Sequence, residues 1–149
     1  MKPCLCEKYL SPLKTFDEVQ RRCAASGEIL PFLERVAVGS GKWVSVYRCR
    51  VCGTLWAEEY PFSEMHGGGP PCLYAIETHN PEAWLEAADN LTSKIRRRHE
   101  DEKFYESLGP ELGPELCKRE PCGRKRIALS VLCRCHHFET VRQPPCPFW

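Results

Sequence analysis

The closely spaced cysteines are the feature that most constrains the fold of this sequence, because they decide which interactions can stabilise a fold of this size. Eleven cysteines occur among 149 residues. Cys4 and Cys6 form one close pair, and Cys49 and Cys52 form another. An odd number of cysteines, paired too closely for comfortable disulfides and preceded by no apolar signal segment, favours thiolates that bind zinc in a reducing compartment. The alternative is a secreted disulfide protein.

Length and composition indicate one ordinary domain or two small ones. Thirteen prolines and ten glycines predict many turns and short elements. Small modules bury too little apolar surface to be very stable, so metal ions would stabilise them. No apolar run is long enough to cross a membrane, and we expect a soluble, cytoplasmic protein.

The first part of the chain has the pattern of a helix followed by a β-hairpin. Thr15 and Glu18 form a predicted capping box, and Gly27 is the expected end of that helix. Residues 43–49 and 54–60 are rich in β-branched and aromatic side chains and predict paired strands. A short strand is expected at Leu73–Glu77.

A long amphipathic helix is predicted to begin at Asn80, because an N-cap residue is followed by proline at the first helical position. Its apolar stripe weakens towards Leu108. The Gly-Pro repeat that follows predicts a linker at 108–116. Beyond it, Ile127, Leu129 and Val131 alternate as in a strand.

The predicted fold class is therefore α+β. Residues 1–107 form a zinc-ribbon-like β-hairpin body with the long helix, and residues 117–149 form a small C-terminal zinc module.

The first predicted zinc site joins the two N-terminal cysteine pairs, and its ligands are Cys4, Cys6, Cys49 and Cys52. A structural zinc ion takes four tetrahedral ligands. Two cysteines separated by two residues place both sulfurs on one side of a tight turn, and Gly53 tolerates the backbone conformation that follows. The alternative is a thioredoxin-type redox pair, but a helix should then follow, and a strand is predicted here.

The second predicted site is compact, with ligands Cys117, Cys122, Cys133 and His136. Two zinc ions per chain are thus expected. Cys135 or His137 could replace a neighbouring ligand, although a surface position is favoured for His137. The remaining cysteines, Cys23, Cys72 and Cys146, are expected to be buried as apolar thiols.

No complete catalytic motif occurs in the sequence, so we expect a protein that is not an enzyme. The deaminase pattern fails because Pro71-Cys72 and Pro121-Cys122 lack a second cysteine three residues later. The zinc-protease motif H-E-x-x-H is missing, and the glycine-rich segment lacks the Gly-Lys-Ser/Thr ending of a phosphate-binding loop. No motif indicates a small-molecule substrate.

Two resemblances add to these inferences. The C-terminal 33 residues resemble small zinc modules of the form C-x4-C-x10-C-x2-H. The segment from Trp43 to Trp56, with its C-x2-C-G turn and the following Gly67–Pro71 loop, is similar to a pattern in small bacterial proteins. Some zinc-knuckle proteins of this kind are associated with toxin neutralisation, so the resemblance implies an immunity-like or adaptor role.

A protein partner is the favoured binding hypothesis, because aromatic side chains surround the first knuckle and such residues are common at contact hot spots. These residues are Trp43, Tyr47, Trp56, Tyr60 and Phe62. Some of them must instead form the core of the hairpin.

The alternative partner is nucleic acid. Residues 94–149 carry a net charge of +4, whereas residues 1–93 carry −3. Basic side chains of the long helix and the C-terminal module could contact phosphates. The residues in question are Lys94, Arg96, Arg97, Arg98, Lys118, Arg119, Arg124, Lys125 and Arg126.

Overall fold

The computed structural model describes residues 3–41, 43–63 and 68–149. It confirms the predicted α+β class. The chain divides into two compact units, Met1–Arg97 and Arg98–Trp149. This division lies earlier in the sequence than the predicted end of the first domain at residue 107.

An antiparallel four-stranded sheet forms the centre of the first unit, with its strands in sequence order. The strands are β1 (Leu33–Val38), β2 (Ser45–Cys49), β3 (Leu55–Glu59) and β4 (Cys72–Ile76). Strands β2, β3 and β4 lie at the predicted places. Strand β1 was not predicted, although Val36 and Val38 supply the β-branched side chains typical of strands. Of the predicted glycine-rich loop, Gly67 lies outside the described residues, and residues 68–71 have no regular secondary structure.

The first helix, α1, spans Phe16–Ile29. The predicted capping box is present, because Thr15 Oγ1 accepts from the Glu18 amide while Glu18 accepts from the Thr15 amide. Gly27 does not end the helix, which continues for two further residues into a 3-10 turn at Leu30–Phe32. The helix packs against β4.

Alternate residues of the sheet bury their side chains on its two faces. Tyr47 of β2 lies opposite Trp56 of β3, and both belong to a core cluster with Ile29, Leu33 and Leu73. The other face carries Val46, which packs in a separate cluster with Leu85 of a later helix.

The predicted long helix is interrupted. Helix α2 spans Pro81–Ala87 and α3 spans Leu91–Ser107, with Asn90 between them at a φ of 55°. Helix α3 begins separately because a residue of the sheet caps its N-terminus. The amide and the hydroxyl of Thr92 both donate to Glu59 Oε1 of β3, at 2.9 and 2.7 Å. A carboxylate at the start of a helix also interacts favourably with the helix dipole.

Glu59 is a buried carboxylate whose hydrogen-bond partners Thr92 and Tyr74 belong to the first unit. It is only 2% exposed. Its second oxygen, Oε2, accepts from the Tyr74 hydroxyl at 2.6 Å. Burial, together with the charge of Glu59, raises the pKa of Tyr74, so that phenol keeps its proton and remains a donor. One side chain therefore joins β3, β4 and α3.

The second unit contains a two-stranded sheet and one complete helix. Strands β5 (Glu111–Leu116) and β6 (Lys125–Ile127) pair antiparallel, and α4 spans Arg134–Arg142. The prediction that the Gly-Pro repeat forms no regular element is wrong, because Glu111–Leu116 is a strand. An ion pair of 2.7 Å between Arg124 and Glu111 holds the Gly-Pro segment beside β6, in a two-stranded sheet where an edge strand tolerates proline.

The strand predicted from Ile127 to Val131 is also shorter than expected. Ile127 ends β6 and is buried, whereas Leu129 is 80% exposed in a turn. The alternation of Ile127, Leu129 and Val131 therefore does not correspond to one face of a strand. The aromatic tail folds back as predicted, since the ring centroid of Phe148 lies 4.6 Å from that of Tyr105.

We expect the substitution Thr92→Val to lower the free energy of unfolding of the first unit by about 2 kcal/mol, because it removes a hydroxyl donor from a buried, charged acceptor. Urea unfolding followed by tryptophan fluorescence measures this. Ser93→Ala, one residue further along α3, is the matched control and should change stability little. A Thr92→Val protein as stable as the wild type would show that Glu59 does not need this donor.

Candidate metal centres

Four sulfur atoms from distant parts of the sequence converge in the first unit. The Sγ atoms of Cys4, Cys6, Cys49 and Cys52 all lie within 4.8 Å of one another. Cys6 begins a 3-10 turn at Cys6–Tyr9, and Cys49 is the last residue of β2. The structure thus brings together all four residues predicted for the first site, and this group can hold a metal ion.

The turn after β2 positions the second pair of sulfurs. The Gly53 amide donates to the Cys49 carbonyl at 2.9 Å, and Gly53 has a φ of 79°, a conformation that glycine adopts without strain. The Val51 amide donates to Cys49 Sγ at 3.4 Å. An amide directed at sulfur stabilises a thiolate, which is the form that binds metal.

The thiols of this group differ in acidity. Burial, reinforced by hydrogen bonding with Cys52 and Cys49, raises the pKa of Cys6. Burial acts in the same direction on Cys52, but hydrogen bonds from Thr54, Cys6 and Cys4 outweigh it and lower the pKa of Cys52 to about 6. The lowered pKa favours the thiolate form of Cys52, which is the form that binds metal.

The second group lies entirely within the second unit. The Sγ atoms of Cys117, Cys122 and Cys133 and a ring nitrogen of His136 lie within 4.8 Å of one another. His136 Nδ1 is 3.2 Å from Cys117 Sγ and 3.3 Å from Cys133 Sγ. Nδ1 is therefore the ring nitrogen that faces the thiols. This group too can hold a metal ion.

The spacing of these sulfurs fits tetrahedral coordination. Ligands at about 2.3 Å from a zinc ion at the centre of a tetrahedron lie about 3.8 Å apart. The sulfurs of Cys122 and Cys133 are 3.8 Å apart. Cys133 is also the N-cap of α4, where its sulfur accepts from the His136 amide at 3.4 Å. The first turn of α4 thus fixes the position of two of the four candidate ligands.

Cys117 is the more acidic thiol of this second group. Burial opposes ionisation, but backbone hydrogen bonds associated with Cys133 and Arg119, and the contact with His136, lower the pKa of Cys117 to about 7. Burial raises the pKa of Cys133 to about 11. A metal ion must therefore displace a proton from Cys133 at neutral pH, so its binding will strengthen as pH rises.

Cys135 and Cys146 do not behave as expected from the sequence. They form a disulfide with a Cα–Cα distance of 5.4 Å. The prediction that Cys146 is a buried free thiol is therefore wrong, and Cys135 is not available to replace a neighbouring ligand. Both residues are buried, and their Cα–Cα distance lies in the usual range for a disulfide.

The other two leftover cysteines lie beside each other in the first unit. Cys72 of β4 is fully buried and Cys23 of α1 is partly buried. Hydrogen bonding with Cys72 lowers the pKa of Cys23, and the same contact and burial raise the pKa of Cys72. Both pack against the apolar cluster around Val19, as predicted for apolar thiols.

The basic residues assigned to phosphate contacts are largely paired with carboxylates. Arg98 pairs with Glu102 at 3.1 Å, and Arg119 pairs with Glu139 at 2.9 Å. Further ion pairs are Lys94–Asp89, Arg124–Glu111 and Arg126–Glu115. Arg96 is buried. These pairs weaken the nucleic-acid hypothesis, because the charge is already neutralised within the protein.

The five aromatic residues around the first knuckle separate into core and surface. Trp56 and Tyr47 are buried, as part of the hairpin core, whereas Trp43 is 69% exposed. Sequence reasoning did not identify the polar residues near Trp43, in particular Arg35 and Glu58. One feature of the sequence could have indicated a polar site here. Glu58 and Glu59 are adjacent glutamates within a predicted strand that is otherwise largely apolar.

A family model described as immunity protein 27 matches residues 29–77. This span is less than half of the chain and contains β1 to β4 together with Cys49 and Cys52. No curated protein and no solved structure matches the chain. The match agrees with the immunity-like resemblance of the Trp43–Trp56 segment.

Within the described part of the chain, every helix is too short or too polar to cross a membrane.

We expect alkylation to distinguish the disulfide from the free thiols. In denaturant with a chelator and no reductant, iodoacetamide should label the nine free cysteines. Prior reduction should raise the number to all eleven. Mass spectrometry of the intact protein counts the labels, and peptide mapping should find Cys135 linked to Cys146. Eleven labels without reductant would show that the pair is reduced.

Proposed function

We propose that this chain is an immunity-like protein that binds a toxic protein partner and neutralises it, and that two zinc ions stabilise its fold. The observation that carries the first part is the family match over residues 29–77, which spans the whole four-stranded sheet. The sheet would serve as the binding platform. Neutralisation of this kind requires contact with the partner and no catalytic step, so the proposed role is not enzymatic.

The sheet has properties that suit a binding platform. Its strands are joined in antiparallel register, and apolar clusters lie on both faces, which favours a rigid sheet. Rigid contact surfaces lose little entropy on binding. Trp43, on the turn between β1 and β2, is the most exposed aromatic side chain of the matched span and is a suitable anchor for a partner.

Zinc is the metal proposed for both groups because of the donor atoms. Four thiolates, or three thiolates with an imidazole, are soft ligand sets that suit zinc in a closed structural site. The proposed ligands are Cys4, Cys6, Cys49 and Cys52 in the first unit and Cys117, Cys122, Cys133 and His136 in the second. The first group joins the 3-10 turn at Cys6–Tyr9 to the end of β2, so a metal ion there would link segments that are far apart in the chain and stabilise the folded state.

We expect the purified protein to carry two zinc ions, and Cys49→Ser and Cys133→Ser each to carry one. Loss of one of four ligands should also unfold the unit concerned, because metal binding and folding are coupled. Native mass spectrometry gives the stoichiometry, and elemental analysis identifies the metal. The control is Cys23→Ser, which changes a cysteine outside both groups and should keep two ions. A Cys49→Ser protein with two ions would contradict the first site.

The partner hypothesis is tested by co-expression with the protein encoded by the neighbouring gene. We expect that protein to stop bacterial growth when expressed alone, and this chain to restore growth and to copurify with it. Trp43→Ala should weaken the rescue, since it removes the exposed anchor from the matched span.

The matched control is Leu129→Ala, which removes an 80% exposed apolar side chain of the second unit. This variant should rescue as well as the wild type. Rescue lost equally in both variants would assign the effect to general surface changes, and a harmless neighbouring protein would overturn the proposed pairing.

A further inference from the structure

A cavity of about 400 Å³ opens at one end of the sheet in the first unit. Side chains from three neighbouring strands and the turn between β1 and β2 line it. Those that matter for its chemistry are Arg35, Val38, Trp43, Ser45, Glu58 and Tyr60. The strand register explains this grouping, because Ser45 lies opposite both Val38 of β1 and Glu58 of β3.

Glu58 places a buried carboxyl group in the lining of this cavity. The residue is 5% exposed, and its Oε1 accepts two long hydrogen bonds of 3.4 Å from the hydroxyls of Tyr47 and Tyr60. Among the described residues no donor reaches its Oε2. A ligand that enters the cavity can therefore donate to Oε2, and a charged donor makes a stronger hydrogen bond to a carboxylate than a neutral one does.

The neighbouring glutamate provides an internal comparison. Glu59 is equally buried, but its two oxygens accept three hydrogen bonds of 2.9 Å or less from Thr92 and Tyr74. Its role in holding the fold together is complete without a ligand. Glu58 lies on the opposite face of the same strand and has no comparable set of donors.

The pKa of Arg35 is raised, first by Tyr47 and to a smaller extent by the charge of Glu58, so Arg35 lies close to that carboxylate. The Arg35 guanidinium donates to the Tyr47 hydroxyl at 3.1 and 3.3 Å and lies over the Tyr47 ring, 5.6 Å from its centroid. No ion pair joins it to Glu58 in the described structure. Because the Tyr47 oxygen accepts from Arg35, its own proton is left to point at Glu58. Arg35 thus orients a donor at the rim of the cavity.

The wall of the cavity is aromatic. The rings of Trp43 and Tyr60 meet edge to face, with centroids 6.0 Å apart and planes at 86°. Burial and the adjacent Glu58 charge raise the pKa of Tyr60, so it remains a neutral phenol. Aromatic faces beside a carboxylate bind organic cations through cation–π and ionic attraction together, and the planar guanidinium group stacks especially well.

We propose that this cavity binds an arginine side chain of the protein partner. The guanidinium would donate to Glu58 Oε2 and stack against Trp43. The assignment of the arginine to a protein partner rests on the function proposed above. Recognition of the guanidinium group is argued from the cavity alone.

The test uses Nα-acetyl-arginine amide as the probe and the indole N–H signal of Trp43 as the NMR readout on the full chain. We expect saturable shifts with a dissociation constant on the order of millimolar, as befits a ligand of this size. The matched control is Nα-acetyl-citrulline amide, which has a similar shape without the charge and should bind at least tenfold more weakly. Equal binding of the two compounds would overturn the proposal.

Two variants make the assignment specific. Glu58→Gln keeps the size of the side chain and removes its charge, so it should weaken arginine binding at least tenfold. Trp43→Ala, followed through the backbone amide signal of Ser45 because it removes the indole, changes a 69% exposed residue and should also weaken binding. An unchanged affinity in Glu58→Gln, or tighter binding of the corresponding lysine amide, would contradict the arginine site.

The outcomes separate this inference from the proposed function. If the arginine probe binds as expected but no growth rescue occurs, the cavity is confirmed and the partner hypothesis fails. If the wild type rescues growth and Glu58→Gln rescues equally well, the function stands and the contact with the partner's arginine is refuted.

Discussion

Convergence of ligand atoms from distant segments is the constraint on which both units depend. In the first unit the described residues before α1 form one short 3-10 turn, and the sulfurs of Cys4 and Cys6 lie beside those at the end of β2. In the second unit a two-stranded sheet and α4 meet at Cys117, Cys133 and His136. Units of this size bury little apolar surface, so ordering these segments needs interactions stronger than side-chain packing.

The sequence predicted well those features that depend on short spacings. The close pair Cys49 and Cys52, the capping box at Thr15 and the hairpin around Gly53 each depend on residues close together in the chain, where local geometry leaves few alternatives. The break before α3 could not be predicted, because its cause is Glu59, more than thirty positions earlier. Strand β5 was missed for a similar reason, since a Gly-Pro repeat becomes a strand only through its pairing with β6 and the ion pair at Arg124.

The two adjacent glutamates of β3 have different roles although they are the same type of residue. Successive side chains point to opposite faces of the sheet, so Glu58 and Glu59 enter different surroundings. One meets the start of a helix and a phenol, and the other meets the open end of the sheet. Sequence alone cannot distinguish them, because the donors of each come from other strands and helices. Their difference in hydrogen bonding is what separates a structural carboxylate from a candidate binding residue.

The disulfide of the second unit has a consequence for how the chain assembles. Five thiols of this unit lie close together in sequence, and many pairings among them are open to an unfolded chain. When Cys117, Cys122 and Cys133 coordinate a metal ion, Cys135 and Cys146 are the two that remain. The ion would then act as a protecting group during oxidation. Only the Cys135–Cys146 disulfide could then form. A chain oxidised before it bound metal could instead form disulfides that include Cys117, Cys122 or Cys133.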